Sequence, residues 1–458
     1  MESSLHRALL SLLGEDDVRT AEADLLSYSY DNSRLSVTPE AVLFPHSEEQ
    51  IREIVYLCKT HNTPITTRGR GSGTAGAAVP VSGGVVLSTE KMRKIVRIES
   101  ENRLMVVEPG VSNQEVQQAA AKHGFFWAPD PSSAPFCTVG GNISCGTAGP
   151  RAVKYGTVRE NVLGLKAVTG DGELIRTGTE TTKWAIGYDL TQLLTGSEGT
   201  LAIITEATLK LLPLQQEKLL IRALYREMQS AADAVAAIMA QPATPCALEF
   251  MDSASLKLIR SQLGEDFPSA AEAMLMIEVD DSKQGITAAV EAIQQAAQNS
   301  GNLEIKIAAS QAEQEQLWAA RKILSPRLRE IAPKKINEDI VVPVSRIPAL
   351  IQTIEQLSAA HQIQIANFGH AGNGNLHTNL LVNPDDPEEI ERAEACLDQL
   401  FTAVLKLKGS ISGEHGIGLV KQPFVARQIG ESERRLMAGI KQQFDPQGIL
   451  NPGTGPQL

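Results

Sequence analysis

The stretch RGRGSGTAG, residues 68–76, carries three glycines in the spacing G-x-G-x-x-G. In a Rossmann unit such glycines follow a strand and begin a helix, and an acidic residue stands about twenty positions further on. The residues that follow here are AAVPVSGGVVLST, in which Pro80 and a glycine pair prevent a helix. The pattern predicts a phosphate-binding loop in another fold, with a glycine-rich surface turn as the simpler alternative.

The elements around this loop also argue against a Rossmann unit. A helix is predicted at 47–62, before the loop instead of after it, and a second helix at 112–124 begins with a capping box of Ser112 and Glu115. Residues 162–178 predict a β-hairpin with a Gly-Asp-Gly turn. The helix that a Rossmann unit would place after the glycines therefore stands before them.

Length and composition restrict the class of protein. A chain of 458 residues exceeds one typical core, so two domains are expected. The net charge of −12 argues against nucleic acid as a partner. Five cysteines without a C-x-x-C pair predict free thiols and no iron–sulfur cluster bound by this chain. The apolar run at 8–13 is too short for a signal peptide or a membrane span, which predicts a cytoplasmic protein, with attachment at a membrane surface as the alternative.

The pattern changes near residue 214. Helical stretches then alternate with the strands ALEFMD, MLMIEVDD, NLEIKIAA and EDIVVPVS. Long apolar runs typical of parallel strands are missing from this half of the sequence, which favours an α+β domain with an antiparallel sheet. The predicted division is 1–213, 214–420 and a C-terminal segment, 421–458, that returns to the first domain.

Two further glycine clusters strengthen the phosphate interpretation. They are TVGGNISCGTAG at 138–149 and TGSEGTLAIIT at 195–205. Loops rich in glycine, serine and threonine present backbone N–H groups without side-chain obstruction, which suits a pyrophosphate. Three such loops in one domain exceed what turns alone require.

These motifs resemble a known family. The three glycine clusters are similar to the FAD domain of vanillyl-alcohol-oxidase type flavoproteins. FGHAGNGNLH at 368–377, GSISGEHGIG at 409–418 and FDPQGILNPG at 444–453 resemble its D-2-hydroxyacid dehydrogenase branch, which includes D-lactate dehydrogenases and glycolate oxidase catalytic subunits. The resemblance runs from about residue 20 to residue 453.

The resemblance implies a bound FAD and names the residues that hold it. Loop residues of the first two clusters would contact the pyrophosphate, and those of the third the adenosine half, while Asn451 returns toward the flavin. The implied set is Arg68, Gly69, Gly71, Ser72, Gly73, Thr74, Pro129, Asp130, Gly140, Gly141, Asn142, Ser144, Gly146, Glu198, Gly199, Ile204 and Asn451. Because His46, His61 and His123 lie outside these loops, the FAD is expected to be noncovalent.

The segments NFGHAGNGNLHTN, 367–379, and SGEHGIG, 412–418, carry the strongest sign of chemistry. Two histidines and a carboxylate suit a divalent metal such as zinc or manganese, whereas hydrogen bonds within turns are the simpler interpretation. The resemblance implies His370, His377 and Glu414 as metal ligands and His415 as the base. Asn373 stands where the family usually has aspartate.

A cation is needed for the substrate carboxylate. Arg321 follows Trp318 by three positions on a predicted helix, which places both on one face. The pair resembles the family's W-x-x-R, in which the arginine binds the substrate carboxylate in a bidentate manner. A surface arginine is the simpler interpretation. Asn337 stands where relatives that act on 2-hydroxyglutarate have a basic residue. This favours a monocarboxylate such as D-lactate or glycolate, although Lys334 and Lys335 are near.

The implied reaction is oxidation of a small D-2-hydroxy acid to the 2-oxo acid. A metal would lower the pKa of the hydroxyl, His415 would remove its proton, Arg321 and Asn379 would orient the substrate, and the hydride would pass to flavin N5. The alternatives are a D-2-hydroxyglutarate dehydrogenase, a noncatalytic FAD-binding partner subunit, or an enzyme of another branch. The electron acceptor would be a quinone, a cytochrome, an electron-transfer flavoprotein or an iron–sulfur subunit.

Overall fold

A computed structural model of the protein describes residues 1–264 and 267–455. The chain divides into two compact units, and it passes from the first to the second after Leu214 and back at Glu414. The short segment Pro150–Tyr155 also belongs to the second unit. Residues 456–458 of the predicted C-terminal segment lie outside the described residues.

Strands and helices are numbered in chain order. The strands are β1 Val18–Arg19, β2 Ala41–Leu43, β3 Ile65–Arg68, β4 Val85–Ser88, β5 Ile95–Glu99, β6 Leu104–Val107, β7 Phe125–Phe126, β8 Val162–Thr169, β9 Leu174–Gly178, β10 Ala202–Lys210, β11 Leu212–Pro213, β12 Glu217–Tyr225, β13 Ala247–Asp252, β14 Ala273–Asp281, β15 Asn302–Ile307, β16 Lys334–Val341, β17 Gln364–Gly369 and β18 Asn375–Val382. The helices are α1 Ser3–Leu13, α2 Glu22–Tyr28, α3 Glu48–Thr60, α4 Asn113–Ala121, α5 Val139–Cys145, α6 Ala152–Tyr155, α7 Leu190–Leu194, α8 Met228–Ala240, α9 Ser253–Ile259, α10 Ile286–Ala297, α11 Gln311–Lys322, α12 Leu324–Arg327, α13 Ile347–His361, α14 Pro387–Lys406, α15 Val425–Gln428 and α16 Glu431–Phe444.

The first unit contains two larger sheets. Among the described residues, one is four-stranded in the order β1-β2-β4-β3, with β2 and β3 parallel to β4. The other is five-stranded and antiparallel, in the order β5-β6-β10-β8-β9. Each of the two sheets has its own hydrophobic cluster. The first glycine cluster follows β3, the second contains α5, and the third leads into β10.

Local sequence signals explain the two predicted helices of this unit. The hydroxyl of Ser47 accepts from the backbone N–H of Gln50 at the start of α3, whose apolar side chains are buried. Ser112 and Glu115 form both hydrogen bonds of a capping box at the start of α4. Side-chain caps of this kind satisfy N–H groups that the first helical turn leaves without partners. Both predictions are confirmed.

The second unit is built on one antiparallel sheet. Within the described part of the chain it has seven strands in the order β15-β12-β14-β13-β17-β18-β16. Helices α9, α11 and α12 pack on it in a hydrophobic cluster with Met251 and Phe368. The two-part first unit and this antiparallel sheet confirm the predicted α+β class.

Candidate active site

The register of β18 aligns three polar side chains. Asn375, His377 and Asn379 share one face of β18, Leu376, Thr378 and Leu380 lie on the other, and the three side chains of the polar stripe are buried. His377 lies opposite Asp339 of β16 on one side and Phe368 of β17 on the other. Opposed residues of paired strands share a sheet face, so His377 points to the same face as these neighbours.

Two histidines and one carboxylate meet in the arrangement that a metal requires. His370 follows the end of β17, and its ring centroid lies 5.1 Å from that of His377. One ligand atom each from His370, His377 and Glu414 lie within 4.8 Å of one another. This donor set suits a borderline divalent cation such as zinc or manganese. The residues therefore fit the metal that the sequence predicts, and metal binding itself stays a prediction.

Both ends of the segment around Glu414 are fixed by hydrogen bonds. The backbone N–H of Gly413 donates to the Asp339 carboxylate at 2.9 Å. The backbone N–H of Gly149, the last residue of the second glycine cluster, donates to the Glu414 carboxylate at 2.8 Å. The position of Glu414 is thus fixed both through the backbone of its neighbour Gly413 and through its own carboxylate.

Arg321 has a buried ionic partner that the sequence analysis did not identify. The guanidinium donates through Nε to Glu249 Oε2 at 2.7 Å, and Nη2 lies 2.7 Å from the same oxygen. The other carboxylate oxygen, Oε1, lies 2.5 Å from Nδ1 of His370. Burial raises the pKa of Glu249, but its interactions with His370 and Arg321 outweigh burial and hold this pKa below its ordinary value.

The predicted pairing of Trp318 and Arg321 on one helix face is confirmed. Trp318 Nε1 donates to Glu278 of β14 at 3.1 Å, while Arg321 reaches Glu249 of β13. The guanidinium carbon of Arg321 also lies 4.7 Å from the ring centroid of Phe368. Helix α11 therefore directs both side chains toward the sheet.

Asn379 is fully buried and uses its amide within the protein. Its Oδ1 accepts from Asn337 Nδ2 at 2.6 Å, and its Nδ2 donates to the carbonyls of Ala366 and His377. These contacts favour a role in fixing β16, β17 and β18 over the predicted direct contact with substrate.

The first glycine loop presents a row of backbone donors. In the described chain, the N–H groups of residues 70–76 have no hydrogen-bond acceptor from the protein. Gly71 has a φ of 63°, and a Cβ there would lie 2.2 Å from Arg68 Nη2, so this position requires glycine. Such a row of donors fits a pyrophosphate.

The guanidinium of Arg68 lies next to Gly71, but its partners belong to an earlier segment of the chain. Its guanidinium donates to the carbonyl of Tyr30 at 2.6 Å and lies 5.2 Å from the ring centroid of Tyr28. The side chain is 7% exposed. These contacts support a role in fixing the segment beneath the loop, and a direct contact of Arg68 with phosphate stays a prediction.

Helix α5 replaces most of the predicted second glycine loop. Thr138 caps it by accepting from the backbone N–H of Gly141, and Gly146 ends it with a φ of 73°. Val139 and Ile143 are buried one turn apart. The prediction of a loop was wrong for α5. Glycines are typical of loops, and the helical spacing of Val139 and Ile143 was given too little weight beside them.

The structure brings the three glycine clusters together within the first unit. A Cβ on Gly69 would lie 2.3 Å from Thr138 Oγ1, so the first cluster meets the start of α5. The carbonyl of Ser144 accepts from the backbone N–H of Glu198, which joins the third cluster to the end of α5. Asn142, buried in α5, accepts through Oδ1 from Asn113 Nδ2 at 3.3 Å. Pro129 and Asp130 lead into the same region, where the backbone N–H of Asp130 donates to Ala148 at 3.3 Å.

Glu198 and Asn451 connect the C-terminal segment to the glycine clusters. The buried Glu198 carboxylate accepts from the backbone N–H groups of Ile417 and Gly418, the latter at 2.9 Å. Asn451 accepts from the N–H of Thr67 at 2.7 Å and donates to the carbonyl of Glu198 at 2.8 Å. Both side chains thus bind protein backbone, and Ile204 packs in the hydrophobic cluster of the antiparallel sheet. Contacts of Glu198, Gly199 and Ile204 with adenosine stay predictions.

Family models match both halves of the chain. Residues 39–178 match "FAD binding domain", and residues 214–454 match "FAD linked oxidases, C-terminal domain". The glycolate oxidase subunit GlcD of Bacillus subtilis is 36% identical over 97% of this chain and 95% of its own. The chain belongs to the FAD-linked oxidases.

Other relatives and the fold agree with this family. The D-lactate dehydrogenase of Anaerostipes hadrus is 33% identical over 91% of this chain and 89% of its own. The structure of p-cresol methylhydroxylase with substrate bound has the same fold, with a TM-score of 0.81 and 19% identity over 98% of this chain and 96% of that one. This FAD-linked oxidase is therefore an FAD-dependent oxidoreductase of the vanillyl-alcohol-oxidase fold. In the described residues, no helix has both the length and the apolar character to cross a membrane.

The FAD of this oxidase is expected to be released by acid. Three histidines outside the glycine clusters have polar neighbours: His46 with Asp17 at 2.8 Å, His61 with Glu2 at 2.8 Å, and His123 with Ser100 at 3.4 Å. Precipitation of the purified protein with trichloroacetic acid should leave the yellow flavin in the supernatant. Flavin that stays in the washed precipitate would show a covalent bond and contradict this prediction.

Proposed function

We propose that this FAD-linked oxidase converts a small D-2-hydroxy acid, D-lactate or glycolate, to the corresponding 2-oxo acid. The observation that carries the proposal is the convergence of ligand atoms from His370, His377 and Glu414. The relatives, a glycolate oxidase subunit and a D-lactate dehydrogenase, support the same substrate class. A noncatalytic FAD-binding subunit would not need this set of side chains together with Arg321.

The side chains of this chain provide the other roles. Arg321, a permanent cation on α11, binds the carboxylate of the substrate. His415, the residue after Glu414, removes the proton of the 2-hydroxyl, a role that suits imidazole near neutral pH. A zinc or manganese ion held by His370, His377 and Glu414 would supply positive charge that lowers the pKa of this hydroxyl. Bound FAD supplies the acceptor for the hydride that leaves C2.

The contacts around Asn337 favour a substrate with one carboxylate. Asn337 donates to Asn379 at 2.6 Å, and this neutral pair offers no charge to a second carboxylate. Lys335 donates to the carbonyl and hydroxyl of Ser325, while Lys334 is exposed. Leaving a charged group unsatisfied in a site costs about 1–3 kcal/mol or more. D-2-hydroxyglutarate is therefore the less favoured substrate.

A substrate comparison tests this proposal. Purified FAD-loaded protein, assayed with an artificial electron acceptor, should show kcat/KM for D-lactate or glycolate about tenfold or more above that for D-2-hydroxyglutarate, in line with the cost of an unpaired charge. L-lactate serves as the matched control for handedness. A higher kcat/KM for D-2-hydroxyglutarate would refute the choice of substrate. Flavin that none of these acids reduces under anaerobic conditions would support the noncatalytic subunit instead.

A further inference from the structure

Glu249 joins two groups that the proposed function treats separately. It lies on β13 with 1% of its surface exposed, and its two carboxylate oxygens have different partners. Oε1 is 2.5 Å from His370 Nδ1, and Oε2 is 2.7 Å from both Nε and Nη2 of Arg321. A buried carboxylate is stable only when its oxygens are paired in this way.

The contact with His370 selects the ring nitrogen that faces a metal. An ionised carboxylate only accepts hydrogen bonds, so Nδ1 of His370 carries the proton and donates it to Oε1. The lone pair of the imidazole is then on Nε2. Carboxylate partners of this kind fix the tautomer and orientation of metal-binding histidines, and their removal typically costs roughly 10–100-fold in metal affinity.

The contact with Arg321 selects the edge of the guanidinium that meets a substrate. Glu249 binds the edge formed by Nε and Nη2, and the ring of Phe368 lies against its face at 4.7 Å. Glu249 does not bind Nη1 or the second N–H of Nη2, and these two donors form the end of the guanidinium that a second carboxylate can meet. A planar guanidinium fixed in this way binds a second carboxylate end-on with little further loss of side-chain freedom.

We infer that Glu249 is a positioning residue that holds the metal ligand His370 and the substrate cation Arg321 in one rigid unit. The inference rests on the proposed function, since it assigns Glu249 a role through those two residues. It adds a residue 121 positions from His370 and 72 positions from Arg321 in the sequence. Glu249 lies outside both the segment 367–379, which contains His370, and the W-x-x-R motif, which contains Arg321.

The test compares Glu249→Gln with Glu278→Gln. Glutamine keeps the shape of Glu249 but replaces one acceptor oxygen with an NH2 group, which only donates, so one of the two donating partners loses its acceptor. Glu278 is the matched control because it is also buried in the sheet and also binds α11, through Trp318. Among the described residues, its partners do not include His370 or Arg321. Both variants are purified with FAD, and thermal unfolding and flavin absorbance are recorded first.

Zinc and manganese affinities are measured by chelator competition, and KM for D-lactate by steady-state assay. Glu249→Gln should weaken metal binding roughly 10–100-fold and raise KM, while Glu278→Gln should leave metal affinity unchanged. Unchanged metal affinity in a folded Glu249→Gln protein would overturn the inference. If Glu249→Gln does not fold, Glu249→Asp keeps the charge on a shorter side chain and is expected to show the same two changes; wild-type values of both in that variant would also overturn the inference.

The same measurements separate this inference from the proposed function. A wild-type protein that binds neither zinc nor manganese would contradict the metal part of the proposed function. In that case, the KM for D-lactate tests the positioning role of Glu249 through its contact with Arg321 alone. An increase in the Glu249→Gln protein supports the positioning role, and an unchanged KM overturns it.

Discussion

Replacement of His415 with alanine is expected to lower kcat for D-lactate by about 10²–10⁴, the usual contribution of a general base. His415 is partly buried and follows the proposed metal ligand Glu414 directly. The backbone that carries it is held by other residues, because Glu198 accepts from the N–H groups of Ile417 and Gly418. Loss of the imidazole should therefore remove the base without releasing the segment.

The matched control for this variant is His123→Ala. His123 is an exposed histidine of the first unit, and its Nδ1 lies 3.4 Å from the hydroxyl of Ser100. Both variants are compared by flavin absorbance, thermal unfolding and single-turnover flavin reduction under anaerobic conditions. The control should behave as wild type. A His415→Ala protein that reduces its flavin at close to the wild-type rate would remove His415 from the role of base.

Sequence periodicity predicted the elements whose signals are local. Helices α3 and α4 have side-chain caps and buried stripes within one short window, and β13 matches the predicted strand ALEFMD. The candidate metal ligands His370 and His377 also gave a local signal, since they stand only seven positions apart, on a loop and on the strand that follows it. Short-range patterns of this kind survive in the fold because the residues that create them also stabilise the element.

Some elements gave weaker local signals. Strand β12 was not predicted, although it pairs with β14 and β15 within the sheet of the second unit. The helix predicted to carry Trp318 and Arg321 ends at Lys322, and the short helix α12, which contains Pro326, follows it. A proline interrupts the hydrogen bonds of a helix, and this explains the break.

The ionic partner of Arg321 could not be predicted from sequence. Glu249 stands in an apolar strand, between Leu248 and Phe250, and this was the one sign that its carboxylate is buried. Its partners are brought to it by sheet register and by helix α11, and register depends on contacts distant in the chain. For the same reason, the bonds of Asn379 to Asn337, Ala366 and His377 emerged only from the paired strands.

Gly374→Ala is expected to lower the free energy of unfolding by about 2–5 kcal/mol, the sum of left-handed strain of about 1–2 kcal/mol and overpacking of about 1–3 kcal/mol. Gly374 has a φ of 77°, and a Cβ there would lie 1.8 Å from the carbonyl oxygen of Val342. The carbonyl of Gly374 accepts from the N–H of Val342 at 3.0 Å, and its own N–H donates to Ala371 at 2.9 Å. The backbone is thus held on both sides and has little room to move.

The effect should extend to the proposed metal site, because Gly374 connects the turn after His370 to the strand that carries His377. Gly264→Ala is the matched control in the same unit: its φ is 98°, and a Cβ there would meet no atom of the described residues within 4 Å. The control should show only the left-handed strain, about 1–2 kcal/mol, and keep wild-type zinc affinity. Urea unfolding and chelator competition measure both quantities. If Gly374→Ala is no less stable than Gly264→Ala, the close approach to Val342 does not constrain this turn, and the glycine is there for its backbone angle alone.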